Sequence, residues 1–564
     1  MDGPRRLSDH LRPPRRTAAD RERELLELGF VREPPTRWLD PGLLVRSGIQ
    51  SVVSAAFGRF ADRRETQAAL DQPTFDAYAE RDELWLDFVA DTGDGWPATM
   101  TMAWLLGRPQ LEVDGDVLPR GELLLVGGDL VYPAAAREAY EHRFVGPFAG
   151  GLPQTMPPGE HLFAIPGNHD WYDGLVAFSR RFCQQQWIGG RQTWQRRSYA
   201  ALKLPHGWWA WMLDIQLDEL VDDAQLDWFR ARARELGPGD RVILVTGKPS
   251  WLKPTARVPF PPAWENLAYV ERIVHDAGAE VGLVLTGDLH HYARYVGDGP
   301  PRITAGGGGA YLSPTHTLPD EVALPPKRGE PGAAYRRAAA YPDARTSRRL
   351  SFGVLKLAAL SPGLAAVIAG IYALLAATML TALGDDRTDV VTGAVSGTGI
   401  VLALLLVGAL IAQLDAPAPW RQLIGTAHAA IHLALAGFVV YAIAVLADTT
   451  GAVTWLLALP AAAAVGFALG TTVLAAVLLL TSLPTGEWAK ETANQVFAAQ
   501  GLETHKNFLR LHIDRDGALQ VHALGVDAPC RDWTGPHEDP ASARFRPVEG
   551  AQPTVRRIDD IAAI

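Results

Sequence analysis

Four short polar segments of the 564-residue chain carry the side chains best suited to metal or acid–base chemistry. They are DTGDG (91–95), GGDLVY (127–132), PGNHD (166–170) and GDLHHY (287–292). Together they supply carboxylates, an amide oxygen and imidazoles, a donor set that can hold Mg²⁺ or divalent transition metals. One aspartate after a strand means little, but four such endings in order indicate a shared site.

Each of these segments ends an apolar run that predicts a buried strand. Helical patterns such as AQLDWFRARAREL and ENLAYVERIVHDA separate several of the runs. Alternating strands and helices predict a layered α/β fold, and ligand sites of α/β sheets lie at strand ends. The predicted strands are 84–91, 122–129, 161–167, 208–215, 241–247 and 281–288.

The motif order Asp…GD…GNHD…GxxH resembles the calcineurin-like metallophosphoesterase superfamily. Two further strings, TAGGGGAYLSPTH (304–316) and HKNFLRLHID (505–514), are similar to its large membrane-attached branch. The resemblance covers roughly 84–316. It implies a four-layer β-sandwich flanked by helices, with two divalent metal ions bridged by an aspartate.

The resemblance also implies roles for single residues. His169 would contact the substrate phosphate and protonate the leaving oxygen. Apart from the resemblance, Asp170 is expected to orient the His169 ring, because carboxylates next to such histidines fix the ring tautomer. The expected metal ligands, including those proposed where the chain departs from the family pattern, are Asp91, Asp94, Asp129 (the bridge), Asn168, Asp288 and His290.

The chain departs from the family pattern at three positions. The usual Asp-x-His reads Asp91-Thr92-Gly93, so Asp94 could supply the missing ligand. The usual GHxH reads GDLH (287–290), which puts Asp288 in place of a histidine. The lone histidine expected after the fifth strand is replaced by Gly247, with Lys248 beside it.

These departures leave several explanations open. An oxygen-rich second site would suit Mn²⁺ or Mg²⁺ better than Zn²⁺, with Fe as a further alternative. Lys248 could instead supply positive charge near the phosphate, or only one ion binds and activity is weak or absent. A one-residue register slip would make His291 a ligand. The glycine run 306–309 either brings backbone N–H groups to a phosphate or marks a tight crossing of the chain.

The composition changes abruptly after Leu360. Apolar stretches near 361–383, 390–414, 423–447 and 453–483 each reach the roughly 20 residues that cross a bilayer as a helix, and they predict a four-helix transmembrane bundle. Lys and Arg concentrate before the first stretch, at 327–356, and the loop GDDRTD between the first two holds a single arginine. The positive-inside rule therefore predicts a multi-pass protein of the cell membrane, with the large N-terminal part and the C-terminus cytoplasmic.

Smaller features of the membrane region allow two interpretations each. His428 and His432 share one helix face and either bind a metal or proton or are hydrogen-bonded within the bundle. Residues 42–61 form an amphipathic stripe that lies either on the membrane surface or on the soluble domain. Glycine pairs at 393/397 and 466/470 would let helices approach closely.

The chain is expected to divide into five regions. These are a basic and amphipathic helical region (1–80), the metallophosphoesterase domain (81–320), a basic linker (321–359), four transmembrane helices (360–483) and a small cytoplasmic tail with a β-hairpin at 505–524 (484–564). The net charge of −10 argues against nucleic-acid binding, and two cysteines cannot form a disulfide framework.

The leading hypothesis is a membrane-anchored, metal-dependent phosphoesterase acting on a phosphomonoester, phosphodiester or pyrophosphate at the cytoplasmic membrane face. Its substrate is either lipid-linked or soluble. A hypothesis of another class is a catalytically degenerate domain that senses phosphate or scaffolds a membrane complex, which the glycine at 247 favours. Homo-oligomerisation stays open.

Overall fold

Two eight-stranded sheets form the centre of the computed structural model, which describes residues 17–48, 64–157, 159–215, 220–252, 260, 262–325, 332–383, 418–446, 451–484, 489–561 and 563–564. The first sheet runs, edge to edge, Val555–Asp559, Leu519–Val526, Lys506–Ile513, Leu84–Val89, Leu123–Val126, His161–Ala164, Arg191–Thr193 and Trp187–Ile188. The second runs Glu321–Leu324, Ala333–Tyr341, Tyr292–Gly297, Arg302–Ala305, Glu280–Thr286, Arg241–Thr246, Trp208–Leu213 and Ala200–Lys203.

The central strands are apolar on both faces, which explains their nearly unbroken hydrophobic sequences. Side chains alternate along a strand: Phe88 packs between the two sheets, whereas Val89 packs on the outer side of the first. In the second sheet Ile243 faces the core between the sheets and Leu244 faces outward. All six predicted strands are present, each shorter than its sequence range by one to four residues.

Helices cover both outer faces, which completes a helix–sheet–sheet–helix arrangement and confirms the layered α/β prediction. Those on the first sheet are Trp96–Gly107, Gly146–Gly151 and Val176–Phe182, and those on the second are Asp223–Ala233 and Pro262–Asp276. Short helical elements elsewhere are Ala18–Leu28, 41–48, Arg64–Gln67, Arg137–Ala139, Tyr140–Val145, His169–Asp173 and Pro205–Gly207. Most of the amphipathic stretch 42–61 lies outside the described residues.

The segment expected to be a basic linker, 321–359, contributes two strands to the edge of the second sheet. It continues through helix Ala344–Ser351 and the single turn Phe352–Lys356 to Leu357–Leu360. The hairpin predicted after the membrane region is also present. Its first strand, Lys506–Ile513, pairs antiparallel with Leu84–Val89 in the middle of the first sheet, so the end of the chain completes the domain that began some 400 residues earlier.

Three helices are long and apolar enough to cross a membrane: Pro362–Ala382, Ala418–Val445 and Gly451–Ser482. They correspond to the first, third and fourth predicted spans. The third starts five residues earlier than expected, at Ala418. The second predicted span, 390–414, lies outside the described residues, so the fold establishes three candidate spans where the sequence predicted a bundle of four.

Polar and small residues hold the described spans together. Gly466 and Gly470 leave room for the ring of Tyr372, since a Cβ at either position would fall within 3.0 Å of it. The Tyr372 hydroxyl lies 2.7 Å from Nδ1 of His432, whose Nε2 is 3.0 Å from Nε2 of His428. The histidine pair is therefore part of a hydrogen-bonded contact between two helices.

A fully buried ion pair fastens the C-terminal strand to the first sheet. Arg510 donates from Nε to Asp87 at 2.7 Å and from Nη2 at 3.1 Å, and its Nη1 donates to the carbonyl of Leu118. Both side chains are 0% exposed. Removing one member of such a pair leaves the other charge buried without compensation.

We expect Arg510→Ala to lower the free energy of unfolding by about 3–5 kcal/mol. The matched control is Arg515→Ala on the same hairpin, because Arg515 is 77% exposed and pairs with Glu83 at the surface. That change should cost at most about 1 kcal/mol. Thermal unfolding of the detergent-solubilised chain measures both, and equal losses would contradict the anchoring role of Arg510.

Candidate metal centre

The predicted site residues meet at the carboxyl ends of parallel strands from both sheets. Asp91 and Asp129 follow neighbouring strands of the first sheet, and His169 follows the next strand along. Asp288 and His290 follow Glu280–Thr286 of the second sheet. The backbone N–H of Asp288 donates to the Asp91 carboxylate at 3.0 and 3.1 Å, which links the two sheets at this edge.

The three site aspartates share an unusual backbone conformation. Asp91, Asp129 and Asp288 have φ of 58°, 50° and 68°. Residues with side chains rarely adopt this left-handed region, although aspartate tolerates it better than most. Each strand therefore turns sharply where it ends, and sparsely populated conformations of this kind gather at functional sites.

Glycines at the motif positions make room for the carboxylates. A Cβ on Gly167 would lie 2.0 Å from Oδ1 of Asp129, and one on Gly287 would lie 2.5 Å from Oδ2 of Asp91. No side chain fits at either position without displacing an aspartate. The glycines of GNHD and GDLH are thus required by packing.

The hydroxyl of Tyr132 lies at the centre of the site. It is 3.0 Å from Oδ1 of Asp91, 3.2 Å from Oδ2 of Asp129 and 3.0 Å from Nε2 of His290. Tyr132 was not among the site residues predicted from the sequence. The available signal was its position three residues after Asp129, within the same GGDLVY segment.

His290 presents a lone pair to this centre. Its Nδ1 lies 2.8 Å from the carbonyl oxygen of Tyr311, which can only accept, so the proton is on Nδ1 and Nε2 is free to accept or to bind a metal. Burial lowers the pKa of His290 well below its ordinary value. A neutral imidazole held by a carbonyl is a typical metal-ligand arrangement.

The carboxylates are crowded in a dry environment. Burial, together with the charges of Asp129 and Asp288, raises the pKa of Asp91 well above its ordinary value. Burial and the charge of Asp288 raise the pKa of Asp129 as well. Such a cluster of like charges is stabilised by a proton or by a cation.

His169 is held differently from the sequence-based expectation. Its backbone N–H donates to Asp129 at 2.9 Å, and its ring Nδ1 lies 2.7 Å from the carbonyl oxygen of Pro133. That carbonyl therefore orients the ring, and the expectation that Asp170 would do so is corrected. Burial lowers the pKa of His169, which favours the neutral ring with Nε2 as acceptor.

Asp170 instead joins the loops that carry the site. Its carboxylate accepts from the backbone N–H groups of Leu130 and Gly167, at 3.2 and 2.8 Å, and from the hydroxyl of Tyr140. Since Leu130 follows Asp129 and Gly167 precedes Asn168, this buried carboxylate sets the spacing of two motif segments.

Asp94 is engaged by the N-terminal segment. Its Oδ1 accepts from the backbone N–H of Thr36 at 2.7 Å and lies 3.5 Å from Nη1 of Arg143. Arg143 also donates to the backbone carbonyl of Asp94. These contacts position the Asp94 carboxylate beside the N-terminal segment, and its expected role as a metal ligand stays a prediction.

The N-terminal segment around Trp38 covers the site. The Trp38 ring lies 5.7 Å from that of His169, 5.9 Å from Tyr132 and 5.6 Å from Tyr311, measured between centroids. The next residue, Leu39, accepts from the hydroxyl of Ser361 at the start of the first candidate span. This contact was not predicted from the sequence, which indicated a separate N-terminal region ending at residue 80.

The strand that follows the membrane region also reaches the site. Lys506 is fully buried and donates to the carbonyl of Ala310, and burial lowers its pKa to about 8. Its positive charge contributes to the lowered pKa of His290. A buried cation from the C-terminal strand thus stands near the acidic cluster.

The glycine run 306–309 is a crossing point of the backbone. The N–H of Gly306 donates to the carbonyl of His291, and that of Gly308 donates to Ala90. A Cβ on Gly309 would lie 1.7 Å from the carbonyl oxygen of Thr92. Of the two readings of this run, the tight crossing is the one that the contacts support.

At the position expected to hold the second metal, the chain supplies side-chain oxygen atoms and a lysine. Oδ1 of Asn168 is buried, with no protein hydrogen-bond partner in the described part of the chain. A Cβ on Gly128 would lie 3.4 Å from the Cα of Gly247, so the position of the expected histidine adjoins the site. Lys248 and Asp288 line a common cavity of about 210 Å³.

No group of three or more His, Cys, Asp or Glu side chains among the described residues is arranged to enclose a metal ion. At the centre of the acidic cluster, the Tyr132 hydroxyl contacts Asp91, Asp129 and His290. The donor set nevertheless fits a divalent ion, because it combines crowded carboxylates, a neutral imidazole and the orphaned amide oxygen of Asn168.

Comparison with known proteins gives one family-model match, in the central region of the chain. Residues 84–295 match the family model of the calcineurin-like phosphoesterases. The match agrees with the resemblance that the motifs implied, and members of that family generally bind two divalent metal ions and hydrolyse phosphoesters. A comparison with curated proteins gave no match.

Solved structures with similarity share little sequence with this chain. GAP50, the anchor in the inner membrane complex of Plasmodium, is 12% identical over 41% of this chain and 74% of its own, with a TM-score of 0.29. The purple acid phosphatase PPD1 from yellow lupin seeds is 14% identical over 42% and 46%, with a TM-score of 0.30. PhoD is 11% identical over 46% and 69%, with a TM-score of 0.27.

The position of Tyr132 leads to a prediction about metal affinity. We expect Tyr132→Phe to weaken Mn²⁺ binding by about 10–100-fold, the usual cost of losing a group that contacts metal ligands. Tyr172→Phe is the control, because its ring contacts His169 at 5.3 Å without hydrogen-bonding the aspartates in the described structure. Calorimetric titration of the metal-free protein with Mn²⁺ measures both, and equal affinities would contradict a role for the Tyr132 hydroxyl.

Proposed function

We propose that this chain, whose residues 84–295 form a calcineurin-like phosphoesterase domain, is a membrane-anchored hydrolase of phosphoester bonds that depends on divalent metal ions. The observation that carries the proposal is the convergence of Asp91, Asp129 and His290 within 3.0–3.2 Å of one point, the Tyr132 hydroxyl. Groups from both sheets are held there by rigid strand ends, and such preorganisation is what catalysis by positioning requires.

The proposed metal ligands are Asp91, Asp129 and His290 for one ion and Asp129, Asn168 and Asp288 for the other, with the Tyr132 hydroxyl added to the first set. Two divalent ions would clamp the attacking and leaving oxygens of an in-line displacement at phosphorus. Because the second set consists of oxygens, we propose Mn²⁺ or Mg²⁺. Asp94 serves by holding Thr36 and the N-terminal segment in place.

His169 is the proposed proton-handling residue. Its Nδ1 proton is committed to Pro133, so the neutral ring has only a lone pair at Nε2 to offer. In this state His169 accepts a hydrogen bond from the nucleophilic water or from a protonated phosphate oxygen. It can protonate a leaving oxygen only after it has first taken up a proton, and its lowered pKa makes that proton readily transferable.

A second candidate function is phosphate sensing by a catalytically degenerate domain. Two observations favour it: Gly247 stands where the family has a histidine, and no described group of three acidic, histidine or cysteine side chains encloses a metal as it stands. The metal dependence of hydrolysis distinguishes the two candidates.

The purified full chain should hydrolyse p-nitrophenyl phosphate or its bis-ester with Mn²⁺ or Mg²⁺ and lose this activity with a chelator. We expect Asp129→Asn to lower kcat by at least about 10³-fold through loss of the bridging charge. We expect His169→Ala to lower kcat by about 10²–10⁴-fold, the usual contribution of a proton-transfer group.

His275→Ala serves as the control, because His275 is exposed at the end of helix Pro262–Asp276 and should leave kcat unchanged. A folded protein with no hydrolysis under any metal, but with calorimetric binding of inorganic phosphate, would replace the hydrolase proposal with the sensing one.

We further propose that the phosphoesterase domain and the C-terminus lie on the cytoplasmic side. Exposed Arg345, Arg348, Arg349 and Lys356 directly precede the first candidate span, as the positive-inside rule requires of a cytoplasmic flank. This arrangement would bring the site to the cytoplasmic membrane face, within reach of substrates in or near the lipid.

A membrane-impermeant maleimide tests this orientation, because Cys183 and Cys530 are both buried. A cysteine introduced at exposed Glu549 should be labelled in inside-out vesicles and not in intact cells. One introduced at Thr388, between the first two predicted spans, should show the opposite pattern. The reverse outcome for both would place the domain outside the cell.

A further inference from the structure

A cavity lies between the candidate metal centre and the helix that follows the last candidate span. Its volume is about 210 Å³, and Asp288 stands on the domain side of its lining. Helix Lys490–Gln500 supplies Lys490, Glu491 and Asn494 to the lining, while Lys248 and Ser250 come from the segment that follows strand Arg241–Thr246. The cavity therefore joins the metal centre to the membrane region of the chain.

The wall of the cavity contacts the end of the last candidate span. Ser313, Pro314, Thr317 and Leu318 line it, and His316 in the same segment bonds the carbonyl of Ser482, the last residue of the span, at 2.9 Å. The adjoining Tyr311 packs in one apolar cluster with Leu479 of the span and Phe497 of the following helix. These contacts fix the cavity close to the membrane boundary.

The surface beside the first span has the character of a membrane interface. Phe352 and Leu355 are 51% and 47% exposed on the turn between helix Ala344–Ser351 and the span. Exposed arginines of that helix, Arg348 and Arg349, stand just before them. Apolar side chains beside basic ones at the end of a span are suited to anionic lipid head groups.

The charges on the cavity wall favour an anion once the metal centre is filled. Lys248 and Lys490 are balanced by Asp288 and Glu491 in the protein alone. A divalent ion on Asp288 would leave the lysines in excess, next to hydroxyl and amide groups that can bond phosphate oxygens. The volume is below the roughly 300–1,000 Å³ of pockets that enclose drug-sized ligands, so a compact head group fits better than a nucleotide.

We propose that this cavity binds the phosphate group of a membrane lipid, with Lys248 and Lys490 as the phosphate-binding residues and the acyl chains left in the bilayer. The inference rests on the proposed function, since it makes the lipid phosphate the substrate of the metal centre. The same cavity chemistry would also accept a free phosphate ester, and only the attached chains distinguish the two sources.

Calorimetric binding measurements on the Mn²⁺-loaded full chain in detergent distinguish a lipid phosphate from a free phosphate ester. The probes are glycerol 3-phosphate, dioctanoyl phosphatidic acid with the same phosphate on a lipid, and dioctanoylglycerol without phosphate. We expect phosphatidic acid to bind at least tenfold more tightly than glycerol phosphate, and dioctanoylglycerol to bind at least tenfold more weakly than phosphatidic acid. Lys490→Ala should weaken both phosphate probes about tenfold and Lys490→Arg should restore most of the loss, whereas Lys203→Ala on a distant exposed strand end should change neither.

The outcomes are separable from those of the hydrolase test. Equal affinity for glycerol phosphate and phosphatidic acid would overturn the lipid source. Unchanged binding of both in Lys490→Ala, with an unfolding midpoint like that of the parent chain, would overturn the cavity assignment even if aryl phosphates are hydrolysed. Tight, lysine-dependent binding of phosphatidic acid without any hydrolysis would support the cavity and overturn the hydrolase proposal alone.

Discussion

The crowding of Asp91, Asp129 and Asp288 at one buried edge is the constraint on which the rest of the site depends. Burial and mutual repulsion raise the pKa of Asp91 and of Asp129, so the folded protein can hold these carboxylates charged only if positive charge or hydrogen-bond donors surround them. Among the described residues, the hydroxyl of Tyr132 and the backbone N–H groups of His169 and Asp288 donate to these carboxylates. A divalent cation is the natural completion of such a set.

Much of the local structure follows from bringing the carboxylates together. The backbone at each aspartate is left-handed, so the chain leaves the direction of its strand at the residue that carries the carboxylate. Gly167 and Gly287 lack the Cβ that would strike a carboxylate, and Asp170 ties the two loops at a fixed spacing. The cost of these conformations is met by the surrounding sheets, whose strands are buried on both faces.

The membrane region and the phosphoesterase domain form one structure rather than two joined units. The chain leaves the domain for the candidate spans and returns to place Lys506–Ile513 beside Leu84–Val89, where Arg510 and Asp87 form a buried pair. The returning strand also carries Lys506 to the neighbourhood of the metal centre. Completion of the first sheet therefore requires residues that lie beyond the candidate spans in sequence.

The sequence by itself determined the alternation of strands and helices, the strand ends that carry polar residues, and the stretches apolar enough to cross a membrane. These features are local, because the burial of a strand and the length of a membrane-spanning helix depend on runs of neighbouring side chains. It also identified Asp91, Asp129, His169, Asp288 and His290 by their motifs, and these residues do lie together at one edge.

Only the tertiary structure decided what surrounds those residues. Tyr132 at the centre, the carbonyl of Pro133 behind His169, the engagement of Asp94 by Thr36, and Trp38 over the site all depend on distances between segments far apart in the chain. The cavity with Lys248 and Lys490 joins residues more than 200 positions apart. Local sequence specifies which side chain a strand end offers, but packing between sheets and spans decides which partner that side chain meets.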